Sequence, residues 1–118
     1  MTLLVFGIPN CSTCKKALQW LDENNVEYQF INTKENPPDI NTIASWVKSL
    51  GVKSMRNTSG LSYRALGEEK NSWTPEEWVI AFSQDAMLLK RPLFVKENEA
   101  VLVGFRANET VKKNILCS

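Results

Sequence analysis

Apolar and polar positions change rhythm several times along the chain, and each change of period marks an element. Leu3 to Phe6 is a short continuous apolar run closed by Gly7 and Pro9, which predicts a strand buried on both faces of a sheet. Cys14, Ala17, Leu18 and Leu21 then recur at helical spacing, with Lys15, Lys16, Gln19, Asp22 and Glu23 on the other side. A first helix is expected from about Ser12 to Asn24-Asn25. Val26, Tyr28 and Phe30 alternate with Glu27 and Gln29, the period-two pattern of a strand with one face more buried than the other. A strand-helix-strand opening favours parallel pairing through a right-handed crossover.

Asn36-Pro37-Pro38-Asp39 interrupts this pattern. Asp39 is placed to cap a helix whose apolar face is read as Ile40, Ile43, Ala44, Val47 and Leu50, closed by Gly51. From Val52 to Ser72 the periodicity is weak and the segment reads as a surface excursion, with one turn of helix around Tyr63 to Leu66. Thr74-Pro75-Glu76-Glu77 supplies a threonine cap, a proline at the first helical position and a capping-box glutamate, ahead of Trp78, Val79 and Phe82. Leu93-Phe94-Val95 and Ala100 to Val103 flank the polar Lys96-Glu97-Asn98-Glu99, a β-hairpin pattern. Val111 and Ile115 predict a last short helix begun near Asn108. The expected order is β-α-β, helices, β-β, then α, in a single domain without repeats.

Composition narrows the chemistry. The 118 residues suit one compact core, and 43% hydrophobic with 23% charged residues describes an ordinary globule. Histidine is absent, which excludes Ser-His-Asp and Cys-His pairs, an H-E-x-x-H metal site and a histidine proton switch. Lysine plus arginine total 14 against 13 acidic residues, a net charge of +1, so no global field attracts a polyanion and direct nucleic-acid binding is not expected. The N-terminal Met1 to Gly7 lacks a basic region before a long apolar run, and no stretch approaches the roughly 18 apolar residues of a membrane span. The expected compartment is the cytoplasm, where a close cysteine pair points to catalysis, redox sensing or metal binding more than to a structural staple.

That pair is Cys11-Ser12-Thr13-Cys14, where the first strand turns into the first helix. A thiol there faces unpaired N–H groups and the positive end of the helix dipole, which favour the thiolate. Cys11 is the candidate nucleophile, with Lys15 and Lys16 adding positive charge nearby. Cys14, one turn on and the more buried, is read either as a resolving thiol or as a small core residue on the stripe of Ala17, Leu18 and Leu21. Zinc is not expected, because only Cys117 remains to complete a sulfur and nitrogen set. Cys117 itself reads as a surface thiol near the end.

Arg56, Arg64, Arg91 and Arg106 are the only arginines. A guanidinium suits an oxyanion or a thiolate. Arg64 reads as a solvated surface residue. Arg91-Pro92 enters the predicted hairpin, and either isomer of that bond is open.

The cysteine loop followed by Lys15-Lys16-Ala17 is one of several motifs that occur together. Arg56-Asn57-Thr58-Ser59-Gly60, Tyr63-Arg64-Ala65-Leu66, Met87-Leu88-Leu89-Lys90-Arg91-Pro92-Leu93 and Val103-Gly104-Phe105 follow in order. Together they resemble the ArsC/Spx family over nearly the whole chain. The resemblance implies an α/β, thioredoxin-like fold of the glutaredoxin type, a mixed sheet flanked by helices. A helical insertion over approximately 39–90 would separate its β-α-β and β-β-α halves.

It further implies that Cys11 attacks arsenate as a thiolate, that Arg56 and Arg91 bind the oxyanion, and that Arg106 matches a third arginine near the last strand. Pro92 would be structural beside the site. The adduct would be resolved by glutathione with glutaredoxin, by thioredoxin, or by Cys14, releasing arsenite, with no bound cofactor or metal. The glutaredoxin-coupled arsenate reductases typically carry one cysteine in this loop, whereas the pair is similar to the Spx branch. Spx proteins dock on RNA polymerase, here the α subunit, and use the C-x-x-C disulfide as a switch. The chain ends at Leu116-Cys117-Ser118 without their basic tail, which is expected to favour the enzyme over the regulator.

Overall fold

A computed structural model of the chain describes residues 3–105. The predicted last helix, Arg106 and Cys117 lie outside the described residues. The strand β1 (Leu3–Gly7), the helix α1 (Ser12–Glu23) and the strand β2 (Tyr28–Asn32) follow one another as the pattern predicts. The backbone leaves α1 through Asn25 at φ 56°, the left-handed conformation that asparagine tolerates at a helix end. Parallel pairing sets Leu3 opposite Tyr28 and Gly7 opposite Asn32.

A helical section comes next. The helix α2 (Ile40–Leu50) is capped by Asp39, whose side chain accepts from the Thr42 N–H at 2.8 Å, and is closed by Gly51 at φ 85°. Its buried face is Ile43 and Trp46, with Val47 and Leu50 packed beside them. This differs from the sequence reading, in which Trp46 was absent and Ala44 and Ile40 were inward. Trp46, Val47 and Leu50 stand three, four and seven positions after Ile43, so the stripe runs through the tryptophan. Ala44 and Ile40 are exposed.

The stretch read as a surface excursion is more ordered than expected. It holds α3 (Val52–Met55), α4 (Leu61–Ala65) and a 3₁₀ turn at Glu68–Ser72. Met55 is fully buried, and Val52, Tyr63, Leu66 and Trp73 pack against the core. Each piece is too short to display a helical period. The helix α5 (Pro75–Gln84) has both halves of its capping box, with Thr74 and Glu77 bonding reciprocally. It buries Trp78, Val79 and Phe82.

The strands β3 (Leu93–Lys96) and β4 (Glu99–Val103) form the hairpin. Glu97 and Asn98 both take positive φ, 53° and 66°, as a two-residue primed turn requires. Among the described residues the sheet has four strands in the order β2-β1-β3-β4, with β3 antiparallel to β1 and to β4. This mixed sheet with flanking helices is the expected thioredoxin-like α/β arrangement.

Strand alternation divides the core between the two faces of the sheet. Leu3, Val5 and Phe94 meet Ala17 and Leu21 of α1. Leu93 and Val95, with Leu4 and Phe6 alongside, meet Ile43 and Trp46 of α2 and Trp78 and Phe82 of α5. Each fully buried large side chain contributes about 1.5–3 kcal/mol of transfer free energy. The strand β1 is covered on both sides, as its unbroken apolar run predicts.

Candidate functional site

Cys11 is the N-cap residue of α1, with an extended backbone at φ −99° and ψ 121°. Its carbonyl accepts from the Lys15 N–H at 3.0 Å. One turn along, Cys14 lies buried on the inward face of α1, and both thiols are free. Gly7 at the end of β1 makes room for it. A Cβ at Gly7 would lie 2.6 Å from the Cys14 Sγ, closer than any side chain can be accommodated without displacing the sulfur.

The two thiols are driven in opposite directions. Partial burial pushes the Cys11 thiol up, but the N–H groups of Cys14 and Thr13, the Cys14 thiol and the charge of Arg91 outweigh it, and the net direction is down. Burial also acts first on Cys14, opposed by the Ile8 backbone and Arg91 and reinforced by the hydrogen bond and charge of Cys11, and its thiol is pushed up to about 11. Cys11 is therefore the better thiolate and Cys14 the better-held proton. The cation whose field reaches Cys11 is Arg91 rather than Lys15 or Lys16, which are exposed.

Arg91 is placed from a distant part of the chain. Its Nη1 donates to the Leu89 carbonyl at 3.2 Å and lies 4.0 Å from the Met87 Sδ. The Arg91-Pro92 bond is cis, and the Pro92 carbonyl accepts from the Gly104 N–H at 2.7 Å. Arg56 forms an antiparallel bridge with Leu89. Hydrogen bonds flank it, from Asn57 N–H to the Leu88 carbonyl at 2.8 Å and from Lys90 N–H to the Met55 carbonyl at 2.7 Å.

The Arg56 guanidinium lies 5.4 Å over the Trp78 ring, and no contact joins it to Cys11. The Nε atoms of Arg56 and Arg91 are buried without a hydrogen-bond partner among the described residues, donors free to meet an anion. Arg64 is exposed and donates to the Ser59 carbonyl at 2.8 Å.

Gly7, Asn57 and Met87 shape the site and were not singled out from the sequence. For Gly7 the available signal was a glycine closing a fully buried strand just before a C-x-x-C loop. Asn57 and Met87 stand in motif segments that carry the family resemblance, but their part at the site depends on a pairing between distant segments. Among the described residues no cluster of three or more His, Cys, Asp or Glu could hold a metal ion. No described helix is long and apolar enough to cross a membrane.

The ArsC family model matches residues 6–113, a span that includes Cys11, Cys14 and all four arginines. The chain belongs to the ArsC family. An uncharacterized member from Bacillus subtilis strain 168, YusI, is 37% identical over 92% of this chain and 95% of its own. The crystal structure of a possible arsenate reductase from Streptococcus mutans UA159 superposes with a TM-score of 0.82 at 38% identity, covering 92% of this chain and 94% of that one. The global transcriptional regulator Spx of Lactiplantibacillus plantarum is 24% identical over 91% of this chain and 82% of its own. The proteins it resembles thus include one described as a possible arsenate reductase and one that is a global transcriptional regulator.

Proposed function

We propose that this ArsC protein is a thiol oxidoreductase in which the Cys11 thiolate attacks arsenate or a related oxidant. The observation that carries the reading is the opposed proton affinity of two adjacent thiols at the start of α1, with Arg91 charging the space beside the lower one. The thiolate is the form that attacks, and a lowered pKa raises its share. A sulfur–arsenic bond forms as an arsenate oxygen leaves as water, with Arg91 offsetting the oxyanion charge. Arg56 is the second candidate for that contact, and Arg106 the third.

The same arrangement supplies a resolving step. Two of the influences that hold the Cys14 proton come from Cys11, its hydrogen bond and its charge. Bonding to arsenic removes the Cys11 thiolate charge and its hydrogen bond to Cys14, and Arg91 faces the oxyanion charge of the adduct. The Cys14 thiolate attacks the Cys11 sulfur, a disulfide forms, and the electron pair of the broken sulfur–arsenic bond stays on arsenic, which departs as arsenite. Glutathione with glutaredoxin, or thioredoxin, then reduces the disulfide. The compartment proposed for this chemistry is the cytoplasm.

The test is arsenate turnover with each thiol donor in turn. Cys11→Ser should fall to background with both, and a fully active Cys11→Ser variant would refute the mechanism. The Spx likeness and the shared C-x-x-C favour a second reading, a disulfide switch that alters binding to the RNA polymerase α subunit. Capture of that subunit that tracks the thiol state, without arsenate turnover, would select the regulator.

A further inference from the structure

A concave site lies in the helical section, lined by no residue of the cysteine loop. It is a pocket of about 200 Å³ between α3 and the start of α5, walled by Trp73, Trp78 and Pro75 and edged by Lys53, Arg56 and Lys70. None of its lining residues belongs to the Cys11–Cys14 loop or the Arg91-Pro92 turn, and none is acidic.

Its walls are fixed by aromatic packing. Trp73 and Trp78 meet edge to face with centroids 5.0 Å apart, and Trp78 stacks on Tyr63 at 6.2 Å. The cations at its mouth are held by aromatic faces and backbone instead of carboxylates. Arg56 lies over Trp78, and Lys70 lies 5.1 Å over Tyr63 while donating to the Gly67 carbonyl. Neither Lys53 nor Arg56 has an acidic partner among the described residues, and the Arg56 Nε is buried without an acceptor.

A buried donor without an acceptor is uncommon in folded proteins, and three cations without a counter-charge among the described residues, set around an indole-walled hollow, form a complementary surface for one kind of ligand. We infer that this pocket binds a small organic anion, a carboxylate or similar oxyanion carried on a flat apolar body. The body stacks against Trp73 and Pro75, and the anionic end meets Arg56, Lys53 and Lys70. The volume restricts the ligand to well below drug size, whose pockets start at about 300 Å³. The pocket shares Arg56 with the thiol chemistry proposed above, while Lys53, Lys70, Trp73 and Pro75 belong to the pocket alone.

The experiment is a ¹H–¹⁵N titration of the full chain with sodium benzoate, and separately with benzyl alcohol and with inorganic phosphate. Benzoate should move the indole N–H signals of Trp73 and Trp78 saturably. It should leave that of Trp20, which packs on Phe105, in place. Benzyl alcohol lacks the charge and phosphate lacks the flat body, so each should bind more weakly. Replacing both lysines, Lys53→Gln with Lys70→Gln, should weaken benzoate by about ten-fold, the scale of one or two charge-assisted hydrogen bonds.

The inference is overturned if benzoate gives no saturable shift, if the double variant binds it as tightly as wild type, or if either control probe binds equally well. Should the double variant fail to fold, the comparison of the three probes on wild type decides alone. Cys11 alkylation in the double variant should run at the wild-type rate, so failure of the pocket and failure of the redox reading are separate results.

Discussion

The two faces of the sheet are built from different material. On the α1 side, Leu3, Val5, Ala17, Leu21 and Phe94 form a mostly aliphatic layer, with Gly7 and Cys14 so close that no side chain fits between them. On the other side, Trp46, Trp78 and Phe82 stand among the buried residues, with Phe6, Tyr63 and Trp73 packed around them. The small residues let backbone approach sulfur, and the aromatic ones hold guanidinium and ammonium groups by their faces. The thiols thus come from a contiguous stretch of chain on the tight side. The arginines come from segments far apart in sequence, joined across the aromatic side. Nucleophile and counter-charge meet only because β1 and β3 are neighbours in the sheet.

Substitutions on each side can test whether the two layers act separately. Trp78→Ala removes one of the two buried indoles of the aromatic layer and should cost about 3–5 kcal/mol, read from urea unfolding. If the layers are separate, the pH midpoint of Cys11 alkylation in the folded variant stays where it was. A displaced midpoint would show that Trp78, through Arg56 and its bridge to Leu89, also sets Arg91. Gly7→Ala acts on the tight side and should cost about 1–3 kcal/mol from overpacking. By displacing the Cys14 sulfur it should also slow formation of the Cys11–Cys14 disulfide, followed by mass spectrometry after mild oxidation. An unchanged rate would mean that the thiol relocates without consequence.

Smaller effects sharpen the same contrast. Thr74→Ala breaks the capping box of α5 and should cost about 1 kcal/mol in thermal or chemical unfolding, with no change at Cys11. Arg91→Gln should change stability least and the site most. The arginine charge favours the Cys11 thiolate, so its loss raises the thiol pKa and lowers the thiolate fraction at neutral pH. The alkylation midpoint should move to higher pH and the rate at pH 7 should fall. A midpoint that does not move would leave the N–H groups of Thr13 and Cys14 and the Cys14 thiol as the whole cause.

The tight side was legible in the sequence. The run Leu3 to Phe6 and the stripe of Cys14, Ala17 and Leu21, like the caps at Asp39 and Thr74 on the aromatic side, are local patterns whose physics acts over a few residues. The position of Cys11 at a helix N-terminus and the burial of Cys14 followed from them. What escaped was non-local. Met55 belongs to the core through a four-residue helix that shows no period. The pairing of Arg56 with Leu89 joins segments that no spacing rule connects, and the turn of the Arg56 side chain onto Trp78 follows from that pairing. Lys15 and Lys16 were expected to charge the site because they are near in sequence, but a helix projects successive side chains around its axis, and they face solvent.

The bridge between Arg56 and Leu89, with a hydrogen bond on either side, closes the chain between them into a ring fastened at its base. A ring fastened in this way can change circumference without moving its fastening. Closure entropy rises only by about 0.6 kcal/mol for each doubling of loop length. Lengthening or trimming the exposed turns around Gly67 to Ser72 would therefore leave the separation of the two arginines untouched. Divergence in that arc can reshape the outer surface of the molecule while the charge beside the thiols stays where it is.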